Sequence, residues 1–233
     1  MLARHARLSQ TRLVSNPCLT WRPTRRQVTL GLALSAVAPR ARAEPLPAAL
    51  GCTIFRNNSK IGTAAYQFLR QQNALSVTIM VDLRIRLGFI TLFRYQHHNQ
   101  ESWRGGNLVW FSARSNRNGA HEFAQGSWNG TGLMVQGSGV HPYLAPAGAI
   151  DTSYWNFRTV SAPLINAQTG RLLKATIRKI GPSAAPRADG TAIPATEYAM
   201  TGDIHLNLWY AAERLTGMEY FAHDGSVLRY EIG

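Results

Sequence analysis

The sequence predicts an all-β fold: a single curved antiparallel sheet, or a partly open β-barrel, of about ten strands with one short helix in a crossing segment. Every odd-numbered residue from Leu75 to Leu87 is apolar, and every even-numbered one except Met80 is polar, which is the pattern of a strand with one buried face. Turn sequences rich in asparagine and glycine recur at short intervals, as in hairpins between neighbouring strands. A chain of 233 residues leaves room for one such domain.

The first 43 residues have the composition of an export signal. Arg25 and Arg26 stand directly before an apolar run over residues 28–38, and residues 41–43 offer the small-x-small pattern that signal peptidase cleaves. The paired arginines indicate the twin-arginine route. The apolar run is much shorter than the ~20 residues of a transmembrane anchor. An arginine-rich start without acids also fits a mitochondrial transit peptide, which is the alternative.

These features divide the chain into three parts. We predict a twin-arginine signal peptide over residues 1–43, a linker rich in proline and alanine over residues 44–50, and a single antiparallel β domain over residues 51–233. We expect the mature protein to be exported to the periplasm and to have no transmembrane anchor.

The strong positive charge of the chain belongs mostly to this leader. Of the 25 basic residues, eight are arginines within residues 1–43, which contain no acid. The rest of the chain keeps 17 basic and 12 acidic residues, a net charge of +5. We therefore expect no nucleic-acid partner.

Cysteine usage excludes a disulfide framework. Cys18 leaves with the leader, so Cys52 is alone in the mature chain and has no intramolecular partner. A buried strand thiol is the favoured interpretation of Cys52. A lipid-anchor cysteine is the alternative, although Ala49 stands where a leucine is wanted.

The mature chain begins with hairpins. We expect a turn at residues 57–60, the long strand over residues 75–87, a bend at Gly88, and a second long strand over residues 89–103. Further strands and turns continue to residue 138. Neighbours in sequence should therefore pair in space, as in a meander.

Prolines interrupt this pattern between residues 140 and 169. We predict a crossing loop there, with a short helix around residues 161–166. Strands resume at residue 170 and continue to the C-terminus, with an exposed tip over residues 182–190.

The second long strand carries the first candidate binding surface. Because side chains alternate along a strand, its odd-numbered residues share one face: Phe89, Thr91, Phe93, Tyr95, His97, Asn99, Glu101 and Trp103. One interpretation makes this face the wall of a cavity, with an apolar floor and a polar mouth. The other is an ordinary sheet core with one solvated end.

A second candidate is the polar and aromatic segment over residues 151–156, which includes Tyr154, Trp155 and Asn156. It suits a flap over an open barrel end. It suits a plug equally well, because tyrosine and tryptophan bury large areas while their polar tips find partners. The same two interpretations apply to Trp209, next to Tyr210.

Motifs for catalysis or metal binding are absent from the sequence. His97 and His98 are adjacent on a strand, so they point to opposite faces and cannot share one ion. His97 and Glu101 share a face but lie roughly 13 Å apart, too far for a direct acid–base pair. No nucleophile elbow or phosphate-binding loop occurs. We therefore assign no catalytic residue, no metal site and no cofactor.

Several short motifs resemble those of one bacterial family. They are NNSKIGT at 57–63, FRYQH at 93–97 with Glu101 and Trp103, TSYWN at 152–156, QTG at 168–170, TGD at 201–203 and LWY at 208–210. In this order they are similar to domain-of-unknown-function family 6134, uncharacterised exported β-proteins, over about Cys52 to Ile232. Ala211 stands where the resemblance leads us to expect an aspartate. The resemblance implies the fold and the compartment, and it brings no activity. The chain more loosely resembles the half-barrels of periplasmic lipoprotein carriers, whose concave face holds acyl chains.

Three functions remain open from the sequence. The leading hypothesis is a non-catalytic periplasmic protein that binds a hydrophobic or lipid-like ligand on a concave sheet face. The second is an envelope structural or partner-binding protein with a filled barrel, and the third is a hydrolase-like enzyme that uses His97 with an acid from another strand. A cavity of several hundred Å³ would separate the first from the second. The candidate ligand-binding residues are Phe89, Phe93, Tyr95, His97, Glu101, Trp103, Tyr154, Trp155, Asn156 and Trp209.

Overall fold

The computed structural model describes residues 47–222 and 224–233. The predicted signal peptide, Cys18, the start of the predicted linker and His223 lie outside the described residues. Within them the chain forms fifteen strands and one single-turn 3-10 helix, Phe157–Val160. The strands are β1 (Ala49–Arg56), β2 (Ser59–Gln71), β3 (Ala74–Leu87), β4 (Ile90–Arg104), β5 (Asn107–Arg117), β6 (Ala120–Trp128), β7 (Leu133–Gly137), β8 (Val140–Leu144), β9 (Ile150–Asp151), β10 (Leu164–Ile165), β11 (Ala175–Pro186), β12 (Ala192–Gly202), β13 (Leu206–Ala211), β14 (Arg214–Phe221) and β15 (Val227–Ile232).

Thirteen of these strands form one antiparallel sheet. Its order is β11-β12-β13-β14-β15-β1-β2-β3-β4-β5-β6-β7-β8. The sheet therefore consists of two meanders, β11 to β15 and β1 to β8, which are joined by the pairing of β15 with β1. In the described part of the chain no ladder joins the edge strands β8 and β11, and the curved sheet stays open. The predicted fold class is confirmed. The predicted number of about ten strands is too low, chiefly because short strands form within the crossing segment.

Alternation along the strands defines an inner and an outer face. In β3, Val77, Ile79 and Leu83 are buried, whereas Met80 and Arg84 on the other face are exposed. The predicted period-two strand is therefore confirmed. The inner faces of β1 to β7 and β12 to β15 together form the apolar core. We call this concave inner side the bowl.

The crossing segment, residues 145–174, enters the bowl at one end. Within it β9 pairs in parallel with β10, and Ile150, Leu164 and Ile165 are buried. The predicted helix around residues 161–166 is wrong. The helical turn lies earlier, because the Asn156 side chain accepts a hydrogen bond from the Arg158 N–H at 3.0 Å and caps it there.

The two ends of the bowl differ. At the closed end, Arg158 of the crossing segment donates to the carbonyl of Gly106 at 2.5 Å, beside the β4–β5 turn. The open end carries the turns at residues 57–58, 88–89 and 118–119. The segment thus covers one end of the sheet and leaves the other uncovered.

The hairpin of β11 and β12 folds back over the outer face. Arg187 donates to the carbonyl of Ile232 at 3.0 Å, and the Ala188 N–H donates to the Glu231 carboxylate. Gly217 lacks a side chain where Ala185 packs, since an added Cβ would lie 3.0 Å from that of Ala185. The expected exposed tip over residues 182–190 is wrong, because β11 runs on to Pro186 and this hairpin is partly buried.

The hairpin of β3 and β4 projects instead. Pairing of β2 with β3 stops at Leu83, and pairing of β5 with β4 begins at Tyr95. Residues 84–94 therefore form a two-stranded arm that extends roughly 16 Å beyond the sheet. Its turn contains Gly88 at φ +57°, the bend that the sequence predicted. No helix among the described residues is long and apolar enough to span a bilayer.

Replacing an inner-face phenylalanine should destabilise the fold far more than replacing an outer-face one. Phe111 in β5 is 0% exposed, whereas Phe123 in the neighbouring β6 is 43% exposed. We expect Phe111→Ala to lower the free energy of unfolding by about 3–5 kcal/mol because it leaves a cavity. Phe123→Ala is the control, with an expected loss of about 1 kcal/mol or less. Equal losses in urea unfolding would contradict the assignment of the two faces.

Candidate functional site

The Glu101 carboxyl is a buried polar group at the closed end of the bowl. Its Oε2 accepts hydrogen bonds from the indole N–H groups of Trp103 at 2.7 Å and Trp155 at 2.9 Å. Trp103 is its neighbour on the same face of β4, and Trp155 comes from the crossing segment. All three side chains are buried. This carboxyl therefore ties the crossing segment to the wall of the sheet.

Asn99 connects this carboxyl to a second one. The Asn99 side-chain amide donates to Asp151 Oδ2 at 2.6 Å and to Glu101 Oε1 at 3.2 Å. Asn99 and Asp151 are both 0% exposed. The remaining oxygens, Asn99 Oδ1 and Asp151 Oδ1, find no hydrogen-bond partner among the described residues. The network is thus tightly enclosed but incompletely satisfied.

Enclosure favours the neutral forms of both carboxyl groups. Burial, and then the nearby charge of Asp151, raise the pKa of Glu101 well above its ordinary value. Burial also raises the pKa of Asp151. We conclude that the pair retains a proton under conditions in which an exposed glutamate has lost it.

Aromatic contacts complete the closed end. The Trp155 ring meets Phe68 and Trp103 edge to face, with centroids 5.2 and 5.3 Å apart. The hydroxyl of Tyr210 donates to the backbone carbonyl of Tyr154 at 2.7 Å, where the chain has φ +63°. Of the two interpretations of residues 151–156, a plug describes this packing.

His97 lies beyond this network, toward the open end. Its Nδ1 is 2.8 Å from Ser115 Oγ, and its ring stacks on Tyr95 with centroids 6.2 Å apart. Burial, and then the charge of His98, lower the pKa of His97 to about 4, so the ring is neutral at pH 7. Among the described residues no carboxylate hydrogen-bonds to it. The acid partner that a hydrolase would require is therefore missing from this ring.

The open half of the bowl is lined by aromatic side chains that are only partly buried. Phe93 and Tyr95 come from β4, Tyr220 from β14 and Tyr230 from β15, each directly opposite or adjacent to core residues. Burial raises the pKa of Tyr95 to about 12. Burial, and then the phenol of Tyr95, also raise the pKa of Tyr230. These phenols are neutral hydrogen-bond donors at pH 7.

Several phenols on the inner face have no hydrogen-bond partner among the described residues. The hydroxyls of Tyr66, Tyr220 and Tyr230 make no hydrogen bond to another residue that the structure describes. Tyr66 and Tyr230 flank β1 from its two sides, because Leu50 pairs with Tyr66 of β2 and Ile54 with Tyr230 of β15. The bowl thus offers polar groups next to apolar surface.

The structure separates the ten predicted site residues into three groups. Glu101, Trp103, Trp155 and Asn156 belong to the closed end, whereas Phe93, Tyr95, His97 and Tyr154 line the bowl above it. Phe89 and Trp209 lie elsewhere. Four further residues were not among the predicted site residues. Asn99 and Asp151 belong to the closed end, and Tyr220 and Tyr230 line the open half.

Phe89 is not part of the wall. It stands in the turn of the projecting arm and is fully exposed, so the prediction that it shares the inner face is wrong. Trp209 is buried on the outer face, where its indole N–H donates to Ser183 at 3.4 Å. Its neighbour Tyr210 points into the bowl.

An open groove of about 600 Å³ crosses the outer face of β2 to β6. Outward-facing polar side chains line much of it, including Gln96, His98, Arg114 and His121. It lies opposite the predicted wall, so it is not the apolar cavity that the sequence suggested. No cluster of three or more histidine, cysteine, aspartate or glutamate side chains in the described ranges is placed to hold a metal ion.

Cys52 has no chemical role in this site. Its side chain is buried in β1, as the sequence predicted for a strand thiol. Burial, and then the charge of Glu231, raise the pKa of this thiol to about 12, so it stays protonated and unreactive.

The buried carboxyl pair should make stability fall as pH rises. A folded-state pKa raised above the unfolded value of ~4.3 stabilises the fold below that value and ceases to do so as pH passes through the folded pKa. We expect Glu101→Gln to reduce the pH slope of the free energy of unfolding, between about pH 4 and 7, by up to ~1.4 kcal/mol per pH unit. Asp82→Asn, at a half-buried carboxylate on the outer face, is the control. An unchanged slope in Glu101→Gln would contradict the pKa assignment.

The comparisons with known proteins support this fold. A solved structure from Brucella abortus, described as a beta-barrel-like protein of domain of unknown function DUF1849, is similar at 10% sequence identity with a TM-score of 0.53. The match covers 79% of this chain and 94% of that one, and at this identity it bears on the fold alone. None of the curated proteins compared with the chain matches it.

A family model gives the more specific relationship. The model of a domain of unknown function, DUF6134, matches residues 53–233, which include every strand from β2 onward and the second half of β1. These residues also carry the motifs from which the resemblance was drawn. The chain therefore belongs to the DUF6134 family.

Proposed function

We propose that the protein binds a hydrophobic or lipid-like ligand in the open half of the bowl and performs no chemistry on it. One observation carries this proposal: Phe93, Tyr95, Tyr220 and Tyr230 face inward yet stay partly exposed, above the closed end that Trp155 fills. Binding sites for small molecules are concave and mostly apolar, with a few polar groups that orient the ligand.

The charge of the lining favours such a ligand. The phenols and His97 are neutral at pH 7, so an acyl chain or an aromatic ring meets no buried charge there. The hydroxyl of the partly exposed Tyr230 can donate to a carbonyl or ester oxygen. This combination suits an amphipathic ligand whose chain lies on the rings and whose polar atoms meet the phenols.

The lining differs from the one that the sequence suggested. Phe93, Tyr95, His97 and Tyr154 keep their proposed role, and Tyr220 and Tyr230 join them from the opposite wall. Glu101, Trp103 and Trp155 form the base beneath the ligand rather than its mouth. Phe89 and Trp209 do not contribute.

Two features favour binding over catalysis. The carboxyl pair of Glu101 and Asp151 is enclosed by indoles and core residues, at 2% and 0% exposure, where no substrate reaches it. His97 is held by Ser115 and carries no acid partner among the described residues. The carboxyl pair therefore positions Trp155 rather than acting on a substrate. The filled closed end also suits a structural role for the protein.

We further propose that the protein is exported to the periplasm by the twin-arginine route. Arg25 and Arg26 before an apolar run, and the cleavage pattern at residues 41–43, support this proposal. A periplasmic carrier would meet its ligand at the envelope, where lipids are abundant.

Removing the apolar lining should remove bound ligand. We expect native mass spectrometry of protein purified without detergent to show adducts of lipid mass. Phe93→Arg and Tyr220→Arg, on opposite walls, should each reduce the adduct population at least tenfold, because each places a charge in the apolar lining.

The matched control is Leu69→Arg, on the outer face and 57% exposed, which should retain the adducts. Circular dichroism and thermal unfolding should establish that all three variants are folded. A clean apo mass in several preparations of the parent protein would overturn tight ligand binding and favour a filled structural protein.

The export proposal has its own test. Changing Arg25 and Arg26 together to lysine should hold the protein in the cytoplasm, because the paired arginines are the address that the export machinery reads. N-terminal sequencing of the periplasmic parent protein should begin at Glu44. Cytoplasmic retention of the parent would contradict export, and unchanged export of the lysine variant would contradict the twin-arginine route.

A further inference from the structure

The tip of the β3–β4 arm exposes four large apolar side chains. Leu87, Phe89, Ile90 and Leu92 are 69%, 108%, 65% and 56% exposed. They are consecutive or nearly so in the sequence, and neither β2 nor β5 extends far enough to cover them. An exposed apolar patch of this kind marks an interaction surface.

Arginines surround the base of this tip. Arg84, Arg86 and Arg94 lie within residues 84–94, which contain no acidic residue. Arg84 is paired with Asp82 at 3.3 Å, and the charge of Arg94 also acts on that carboxylate, whereas Arg86 forms no salt bridge with a described residue. The arm therefore presents apolar side chains at its end and cationic ones directly behind them.

The arm also projects from the open end of the bowl. At its base Phe93 pairs with Ile85, and Tyr95 pairs with Leu83, so the strands of the arm continue directly into the lining. A surface that receives the tip would face the mouth of the proposed binding site.

We propose that this arm docks on an anionic lipid bilayer, with Leu87, Phe89, Ile90 and Leu92 among the acyl chains and the arginines on the lipid phosphates. Apolar side chains backed by basic ones are the composition that binds anionic membrane surfaces. A second copy of this chain is a poorer occupant, because two such tips would bring arginines of like charge together. The idea that a ligand passes from the bilayer into the bowl rests on the proposed function. The docking of the arm on the bilayer is tested without any bound ligand.

A label at the tip should report insertion directly. The test uses the full chain with Cys18→Ser and Phe89→Cys, labelled with an environment-sensitive nitrobenzoxadiazole fluorophore, since Cys52 is buried. Cys18→Ser without Phe89→Cys is the labelling blank. Vesicles of phosphatidylcholine and phosphatidylglycerol in equal parts should shift the emission to the blue, and spin-labelled lipids should quench it. Attachment through another segment of the chain would leave this label unquenched.

The matched control carries Leu69→Cys, which lies on the outer face toward the closed end. Its label should remain unquenched. Equal quenching at the two positions, or none at residue 89, would overturn the proposal. Without vesicles, light scattering is measured as the protein concentration is raised. A rise in scattering together with a blue shift of the emission would show that the tip contacts another copy of the chain, and this would also overturn the proposal.

The arginines should determine the lipid preference. Arg86→Gln with Arg94→Gln should weaken quenching-detected binding to the anionic vesicles roughly 25-fold, or roughly fivefold for each arginine. Vesicles of phosphatidylcholine alone should not distinguish this variant from its parent. Lipid adducts with no quenching at residue 89 would overturn docking and leave the proposed function intact, and quenching without adducts would do the reverse.

Discussion

A carboxyl group held between two indoles closes one end of this protein. Burying a glutamate costs several kcal/mol unless its oxygens are hydrogen-bonded. Glu101 meets this requirement because Trp103 of the same strand and Trp155 of the crossing segment donate to one oxygen, at 2.7 and 2.9 Å, and Asn99 donates to the other at 3.2 Å. The position of Trp155 in turn fixes its contacts with Phe68 and Trp103. The geometry of the whole closed end thus depends on this one acceptor.

The division of the bowl into two halves follows from that arrangement. The aromatic side chains of the crossing segment pack at the closed end. The long strands of the sheet extend beyond this packing, so their inner faces toward the open end are less covered. The uncovered half carries tyrosines beside its aliphatic side chains, and a phenol tolerates both apolar neighbours and a polar ligand atom. Raised phenol pKa values, caused first by burial, keep this lining uncharged.

The alternation of apolar and polar residues predicted the strands and their two faces. It did not predict which residues, distant in the sequence, contact the inner face. The pattern of β3 and the bend at Gly88 were correct because both are local properties. Asp151 meets Asn99 across 52 residues of sequence, which no local pattern reveals. Phe89 has the parity of the inner face, yet it is exposed because no partner strand reaches the arm. Trp209 is buried by the returning β11–β12 hairpin, and adjacency to Tyr210 already placed it on the other face.

The two long hairpins differ in the side chains that they carry at their ends. Both extend beyond their partner strands, yet the β11–β12 hairpin has small residues such as Ser183 and Ala185 and folds onto the outer face. The β3–β4 arm instead combines bulky apolar side chains with arginines, and it remains extended. Exposed apolar hairpins favour aggregation unless charge or a partner protects them. The arginines supply protection in water and attraction at an anionic surface, so a single sequence feature serves both states.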